Sequence, residues 1–282
     1  MIILCADDYA LTEGVSRAIG ELAAARRLSA TSVMVTMPHW PATAAPRLRA
    51  HRAHLAIGVH LNLTLGAPLG AMPRLAPDGR LPQLREILKR SMLRRLDGAE
   101  IEAEIHRQLD RFHKGLGFAP DHIDGHQHVH VLPGVRRALF NVVVRRYPGS
   151  KPLLRDPSVR WTAISANETV SRKAAAVTAL AAGFAAGARR RGIPTNEGFS
   201  GFSNFGGEPY GAELERALIG TGPRHIVMCH PGHPDAELAA LDPVVERRRD
   251  EYETLLHDRT LPERIWRPAR AADGPPLDWS HG

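Results

Sequence analysis

Three short apolar runs in this chain each stop at a polar cluster, a fourth such cluster follows Ile123, and that repetition limits the fold more than any other feature. Ile2-Ile3-Leu4-Cys5-Ala6 stops at Asp7-Asp8, and the run from Leu55 to Leu61 carries His60 with Asn62 at its end. Ile123 leads into Asp124-Gly125-His126, and Ile226-Val227-Met228-Cys229 stops at His230. Continuous apolar runs of this length read as strands buried on both faces, as in a parallel sheet covered by helices. Segments with helical periodicity separate them. Thr12 offers an N-cap for a helix through Arg27, with Val15, Ile19 and Leu22 on one face. Asp97 with Glu100 resembles a capping box, opening a helix whose stripe is Ile101, Ile105, Leu109, Phe112 and Leu116. Strand and helix alternate, which predicts an α/β fold.

In such folds the C-terminal ends of the strands lie on one face, where side chains far apart in sequence assemble a site. The stretch from Asp121 to Pro133 is the densest contributor, with His122, His126, His128 and His130 beside Asp121 and Asp124. If its backbone is extended, the period of two puts His122, Asp124, His126, His128 and His130 on one face. Neutral imidazole is the commonest protein metal ligand and titrates nearest neutrality, so the face suits metal binding or proton transfer. One carboxylate plus two imidazoles would make a three-ligand site with positions left for water and substrate. Asp7 and Asp8 point to opposite sides of an ideal strand, so both serve such a site only if the chain turns just after Ala6.

Composition sets the outer limits. The 282 residues suit one domain over residues 1–267, with a Gly- and Pro-rich insertion or lid near 65–96 and a loose tail over 268–282. The net charge of +7 comes from dispersed Arg pairs and triplets, among them Arg247-Arg248-Arg249, which read as solvated helix faces. Aromatics are scarce at 5%, so base stacking and a nucleic-acid partner are not expected. Ala174 to Ala188 is too short to span a bilayer. Two cysteines, Cys5 and Cys229, cannot form a disulfide framework and suit a reducing compartment, and no leader pattern opens the chain, so a cytoplasmic location is expected. The Ala-rich segment from Arg172 to Arg191 is helical by propensity, and Asn196 to Ser203 reads as a loop.

Ala6-Asp7-Asp8-Tyr9, Gly58 to Thr64, His122 to His130, and Met228-Cys229-His230-Pro231-Gly232 together resemble the signature blocks of the YdjC/ChbG family of carbohydrate deacetylases. The resemblance spans residues 6 to 232, and its histidine block is the specific part. It implies a distorted (β/α) barrel, TIM-barrel-like and related to the polysaccharide deacetylases, with one divalent metal ion, zinc or magnesium. It further implies Asp8, His60 and His126 as metal ligands, Asp7 as general base, and His230 as general acid or oxyanion partner. Asn62, Asp124, His128, His130 and Arg155 would then support the ligands or touch substrate. For Arg155 an orienting role on the aspartate and a plain surface position both stand.

The implied reaction removes an N-acetyl group from an amino sugar, either a chito-oligosaccharide or a glycolipid bearing N-acetylglucosamine, the latter in a branch associated with hopanoid biosynthesis. The expected partner is that small acetylated sugar, with neither nucleic acid nor stable membrane insertion and a homodimer left open. Two other readings stand beside it: a metal-dependent phosphoesterase on the same barrel, favoured by two bridged metals, and a sugar-binding protein without turnover. The chain departs from the family at Tyr9-Ala10, where Phe-Gly is usual, and at Gln127, where His is common.

Overall fold

Parallel pairing begins at Ile3–Tyr9 (β1), where Cys5 and Ala6 face Ala30 and Thr31 of Ala30–Val33 (β2). The computed structural model describes residues 1–159, 168–203, 207–271, 274–275 and 277–279. The remaining strands are Ala56–Leu61 (β3), His122–Gly125 (β4), Leu153–Leu154 (β5), Gly198–Ser200 (β6) and His225–Cys229 (β7). Among the described residues they form one seven-stranded parallel sheet in the order β5-β4-β3-β2-β1-β7-β6. Its edges approach one another, because Leu154 makes a parallel bridge with Thr195, just before β6. Asn196 adds a second stitch, accepting from the Asp156 amide at 2.6 Å and donating to the Asp156 carbonyl at 2.9 Å. The sheet is thus a curled, distorted barrel of the kind the sequence predicts.

Alternation along the strands sorts side chains into two cores. Leu4 and Ala6 of β1 lie in the outer core with Val15, Ile19 and Leu22 of Glu13–Ala24 (α1), whose N-cap Thr12 accepts from the Val15 amide. Ile3 and Cys5 point the other way, into a lumen shared with Ala30, Ala56, Phe199, Ile226, Met228 and Trp279. Counting on by two from Cys5 reaches Asp7, so the lumen turns from apolar to ionic at the C-terminal ends of the strands.

The connections run through Ala45–Arg49 (α2), Leu84–Met92 (α3), Gly98–Leu116 (α4), Val135–Arg146 (α5), Glu168–Leu180 (α6), Phe184–Arg189 (α7), Tyr210–Ala217 (α8), Ala236–Leu241 (α9), Glu246–His257 (α10) and Leu261–Arg264 (α11). Helix α4 buries the whole predicted stripe, Ile101 to Leu116. Its capping is half of a box: Asp97 accepts from the Ala99 and Glu100 amides, while the Glu100 carboxylate reaches instead to the amides of Arg74 and Leu75. Glu104, fully buried, likewise accepts from the Leu69 amide, so two carboxylates of α4 hold the 65–83 loop. The Ala-rich segment is helical as expected, in two pieces. Gly183, at φ 76, takes the left-handed conformation that separates α6 from α7.

Two further expectations are corrected. The segment read as a loop contains β6, a three-residue strand too short to show alternation. Beyond Arg267 the described residues Arg270, Leu277 and Trp279 are anchored rather than loose. Arg270 and the Leu277 amide both bind the buried Asp121 carboxylate, and the buried Trp279 donates its indole N–H to the Asp121 carbonyl at 2.7 Å.

Candidate metal centre and active site

The site begins with an irregularity in β1. Ala6 pairs with Thr31 but Tyr9 pairs with Val33, so Asp7 and Asp8 together oppose Ser32 alone, which is a β-bulge. Asp8 absorbs the extra residue at φ 66, a conformation that aspartate tolerates better than most residues. The bulge lets two adjacent carboxylates face the same lumen. Ala10 is also left-handed, at φ 73, which gives a physical reason for glycine there in the resembled family.

Strands β3 and β4 bring the next pair, since His60 and Asp124 are partners in the ladder. His60 Nδ1 lies 2.7 Å from Asp124 Oδ1 and 3.0 Å from Ser32 Oγ, which leaves Nε2 facing Asp8 Oδ1 at 3.2 Å. A carboxylate that holds one imidazole nitrogen and so aims the other is the usual support of a metal-binding histidine. Burial opposes a charge on His60, but Asp124 and Asp7 override it and raise its pKa to about 10.

After Gly125 the chain leaves the extended conformation. His126 to Val131 form a 3-10 turn in which Gln127 and His128 have φ of 53 and 59, so the expected five-residue face ends at Asp124. The turn swings His126 Nδ1 to 3.0 Å from Asp8 Oδ1. His126 is 13% exposed against 2% for His60 and 3% for Asp8, so solvent reaches the trio from the His126 side. His128 goes elsewhere, between Phe199 and Phe202, and His130 lies beneath Arg155, close to its backbone carbonyl at 2.7 Å and packed on Phe184. Burial, then Arg155, lowers the His130 pKa to about 4. His122 is buried one level below the site, its ring lying across Gly58, where a Cβ would sit 2.4 Å from Nε2.

Arg155 is no surface residue. It is fully buried and forks onto Asp7 with two bonds of 2.8 Å, while the same Nη1 lies 3.1 Å from Asp124 Oδ2. Asp124 is held well below the usual carboxylate range: burial works against this, and Arg155 and His60 outweigh it. Asn62 does not join the cluster. Its carboxamide accepts from the Thr64 and Leu65 amides and donates to Thr36 and the Leu65 carbonyl, so it shapes the turn after β3. His230 follows β7, and its amide donates to Glu251. Burial, only partly offset by Asp8 and Asp7, lowers the His230 imidazole to about 4.

One member escaped the sequence reading. Arg248 of α10 is buried and its Nη2 donates to Asp8 Oδ2 and to Asp242 Oδ2, both at 2.6 Å. Arg247 is buried as well, against Glu213, so only Arg249 of the triplet fits the solvated face expected of all three. Among the described residues, ligand atoms of Asp8, His60 and His126 lie within 4.8 Å of one another, as do those of Asp7, His60 and Asp124 and those of Cys5, His122 and Asp124. The first trio fits a metal ion best. Both oxygens of Asp7 already hold Arg155, and His60 Nδ1 is taken by Asp124, whereas Asp8 Oδ1, His60 Nε2 and His126 Nδ1 share one side. The carboxylates of Asp7, Asp8, Asp124 and Asp242 face the guanidiniums of Arg155 and Arg248 and the His60 imidazole, whose raised pKa reports the negative field at the trio.

Fold and site together define a parallel (β/α) barrel whose strand ends carry a buried Asp/His group able to hold a metal ion. The model of the YdjC-like proteins matches residues 1–262, and the chain belongs to that family. A carbohydrate deacetylase of Geobacillus stearothermophilus is 31% identical over 265 residues, 92% of this chain and 90% of that protein. A chitooligosaccharide deacetylase of Klebsiella pneumoniae is 31% identical over 240 residues, covering 83% and 82% of the two chains. A human carbohydrate deacetylase is 28% identical, covering 83% and 75%. In structure the chain resembles a putative cellobiose-phosphate cleavage protein of Enterococcus faecalis, with a TM-score of 0.68 at 22% identity over 93% of this chain and 92% of that one. That likeness concerns the fold.

Proposed function

We propose that this chain is a metal-dependent hydrolase that removes an N-acetyl group from an amino sugar, either in a chito-oligosaccharide or in a glycolipid carrying N-acetylglucosamine. The observation that carries the reading is the convergence of Asp8, His60 and His126 beside an aspartate, Asp7, that Arg155 grips through both oxygens. The names of the relatives from Geobacillus and Klebsiella support the same chemistry. Asp8, His60 and His126 would hold the ion, and two nitrogens with one oxygen suit zinc or another first-row cation, magnesium being the alternative of the resembled family. When bound, such an ion supplies Lewis acidity toward the acetamide carbonyl and toward a water molecule.

The chain's own residues do the rest. Asp7 takes the proton of the attacking water, its carboxylate fixed by the Arg155 fork so that little reorientation is needed. Asp124 and Ser32 fix the His60 ring, and Arg248 fixes Asp8 from the side opposite the histidines. His230, neutral at physiological pH, carries one N–H donor and one acceptor nitrogen. It can bond the oxygen that gains charge and hold a proton on its way to the departing amine, which an amide requires because a free amide anion is a very poor leaving group.

The test is acetate release from N-acetylglucosamine oligosaccharides and glycolipids with added zinc or magnesium and after chelation. Release that the chelator abolishes and the metal restores supports the proposal. Silence across the panel from folded, metal-loaded protein, with hydrolysis of phosphoesters instead, overturns it.

A further inference from the structure

Charge is not spread evenly over the surface. Residues 84–95 carry Arg85, Lys89, Arg90, Arg94 and Arg95 against the single Glu86, a net +4 in a chain whose total is +7. Helix α3 is seated by the buried Ile87 and Ser91, the latter donating to the Pro133 carbonyl at 2.6 Å, while Leu84 and Leu88 pack on the outer core. Arg90 is committed to Glu86 and to the Arg74 carbonyl. Among the described residues Arg85, Lys89, Arg94 and Arg95 have no ion pair, and all four are exposed. Set among them, Met92 and Leu93 are 48% and 51% exposed, the one adjacent pair among the exposed large hydrophobics of the described residues. Arg74, Lys89, Arg90, Arg95, Glu86 and Leu93 line a cavity of about 320 Å³.

We propose that α3 and the turn after it form a docking surface for an anionic lipid bilayer. The argument is complementarity. Four cations without an ion pair among the described residues flank two apolar side chains in sequence, and a bilayer presents negative headgroups over an apolar interior. The cavity, with four cations and one carboxylate on its walls, is of a size to take a headgroup phosphate. A nucleic acid would use the cations but not Met92 and Leu93, and among the described residues no aromatic side chain lines the cavity for base stacking. No helix among the described residues is long and apolar enough to cross a membrane, so the attachment is peripheral and salt-sensitive. Through Ser91 and Pro133 the docked helix is tied to the segment that follows the His126–Val131 turn. The proposal stands independently of which bond the site cleaves.

The experiment is co-sedimentation of the full chain with vesicles of phosphatidylcholine alone or mixed with phosphatidylglycerol, at low and high salt. Wild type should bind the mixed vesicles, release them in high salt and leave the neutral ones in solution. Each cation removed should weaken the partition about fivefold, so Lys89→Gln/Arg94→Gln/Arg95→Gln should weaken it roughly a hundredfold. Met92→Ser/Leu93→Ser should lower it several-fold at unchanged charge, and thermal unfolding of both variants should match wild type because every substituted side chain is exposed. Equal binding to neutral vesicles, no binding, indifference to the triple variant, or retention of duplex DNA or RNA without vesicle binding would each overturn the proposal.

Discussion

Replacing Arg155 with alanine removes the guanidinium that, among the described residues, pairs with two carboxylates at the heart of the lumen. The side chains of Arg155, Asp7 and Asp124 are 0%, 2% and 0% exposed, and the contacts are 2.8 Å and 3.1 Å. At an effective dielectric of about 20 each contact is worth roughly 5 to 6 kcal/mol of attraction, offset by the desolvation of all three groups. Breaking such a pair from one side leaves a buried carboxylate uncompensated, so Arg155→Ala should cost about 3–5 kcal/mol in urea unfolding with chelator present. The sign with pH follows from Asp124. Its folded pKa is depressed in wild type, so it contributes stability that is present above the ordinary carboxylate range and lost as the pH falls. Without Arg155 that contribution shrinks, so the deficit of the variant should be largest near neutrality and narrow in acid. A double-mutant cycle with Asp7→Asn should show coupling of about 1–3 kcal/mol. A loss below about 1 kcal/mol near neutrality, or strict additivity with Asp7→Asn, would refute the claim that Arg155 anchors the aspartate.

Further outcomes are expected elsewhere. Burial and Arg155 depress His130 from 6.5 to about 4, so wild type should lose about 3 kcal/mol of stability as the pH falls across that window, and His130→Gln should flatten this part of the profile; an identical profile would contradict it. Ending the chain after Arg267 removes Arg270 and Trp279 from the buried Asp121 and should lower stability by about 3 kcal/mol or more in the same assay, where a loose tail would be silent. Arg248→Ala should leave Asp8 gripped from one side only and weaken metal binding, by calorimetric titration, about tenfold or more; unchanged affinity would show that Arg248 does not position Asp8.

How much of this was legible in the sequence depends on how local each signal is. Apolar runs ending in Asp7-Asp8, His60 and His230 marked three strand ends, and the polar cluster at Asp124 a fourth, because these signals are written in consecutive residues. The turn required after Ala6 takes the form of a bulge at Asp8, whose positive φ has no signature beyond the tolerance of aspartate for it. His128 and His130 follow the same alternation on paper, yet two left-handed residues break the strand after Gly125 and send both side chains away from the trio. Arg248 was hidden in plain composition. An arginine triplet on a helix reads as solvated until the fold brings Asp8, 240 positions away, to one of the three. Asn62, a polar residue at a strand end, shapes its own turn through bonds that only the folded chain reveals. The anchored tail was missed for the reason that hid Arg248: its partner, Asp121, lies some 150 residues upstream.

The most direct measurement pairs metal content with acetate release in two variants. Asp7→Asn removes the base and leaves Asp8, His60 and His126 in place, so it should retain the ion at wild-type stoichiometry and lose nearly all release. His126→Ala removes a ligand and should lose both together. A metal-loaded Asp7→Asn that still releases acetate at the wild-type rate, or a His126→Ala that keeps its ion, would contradict the division of roles on which this account rests.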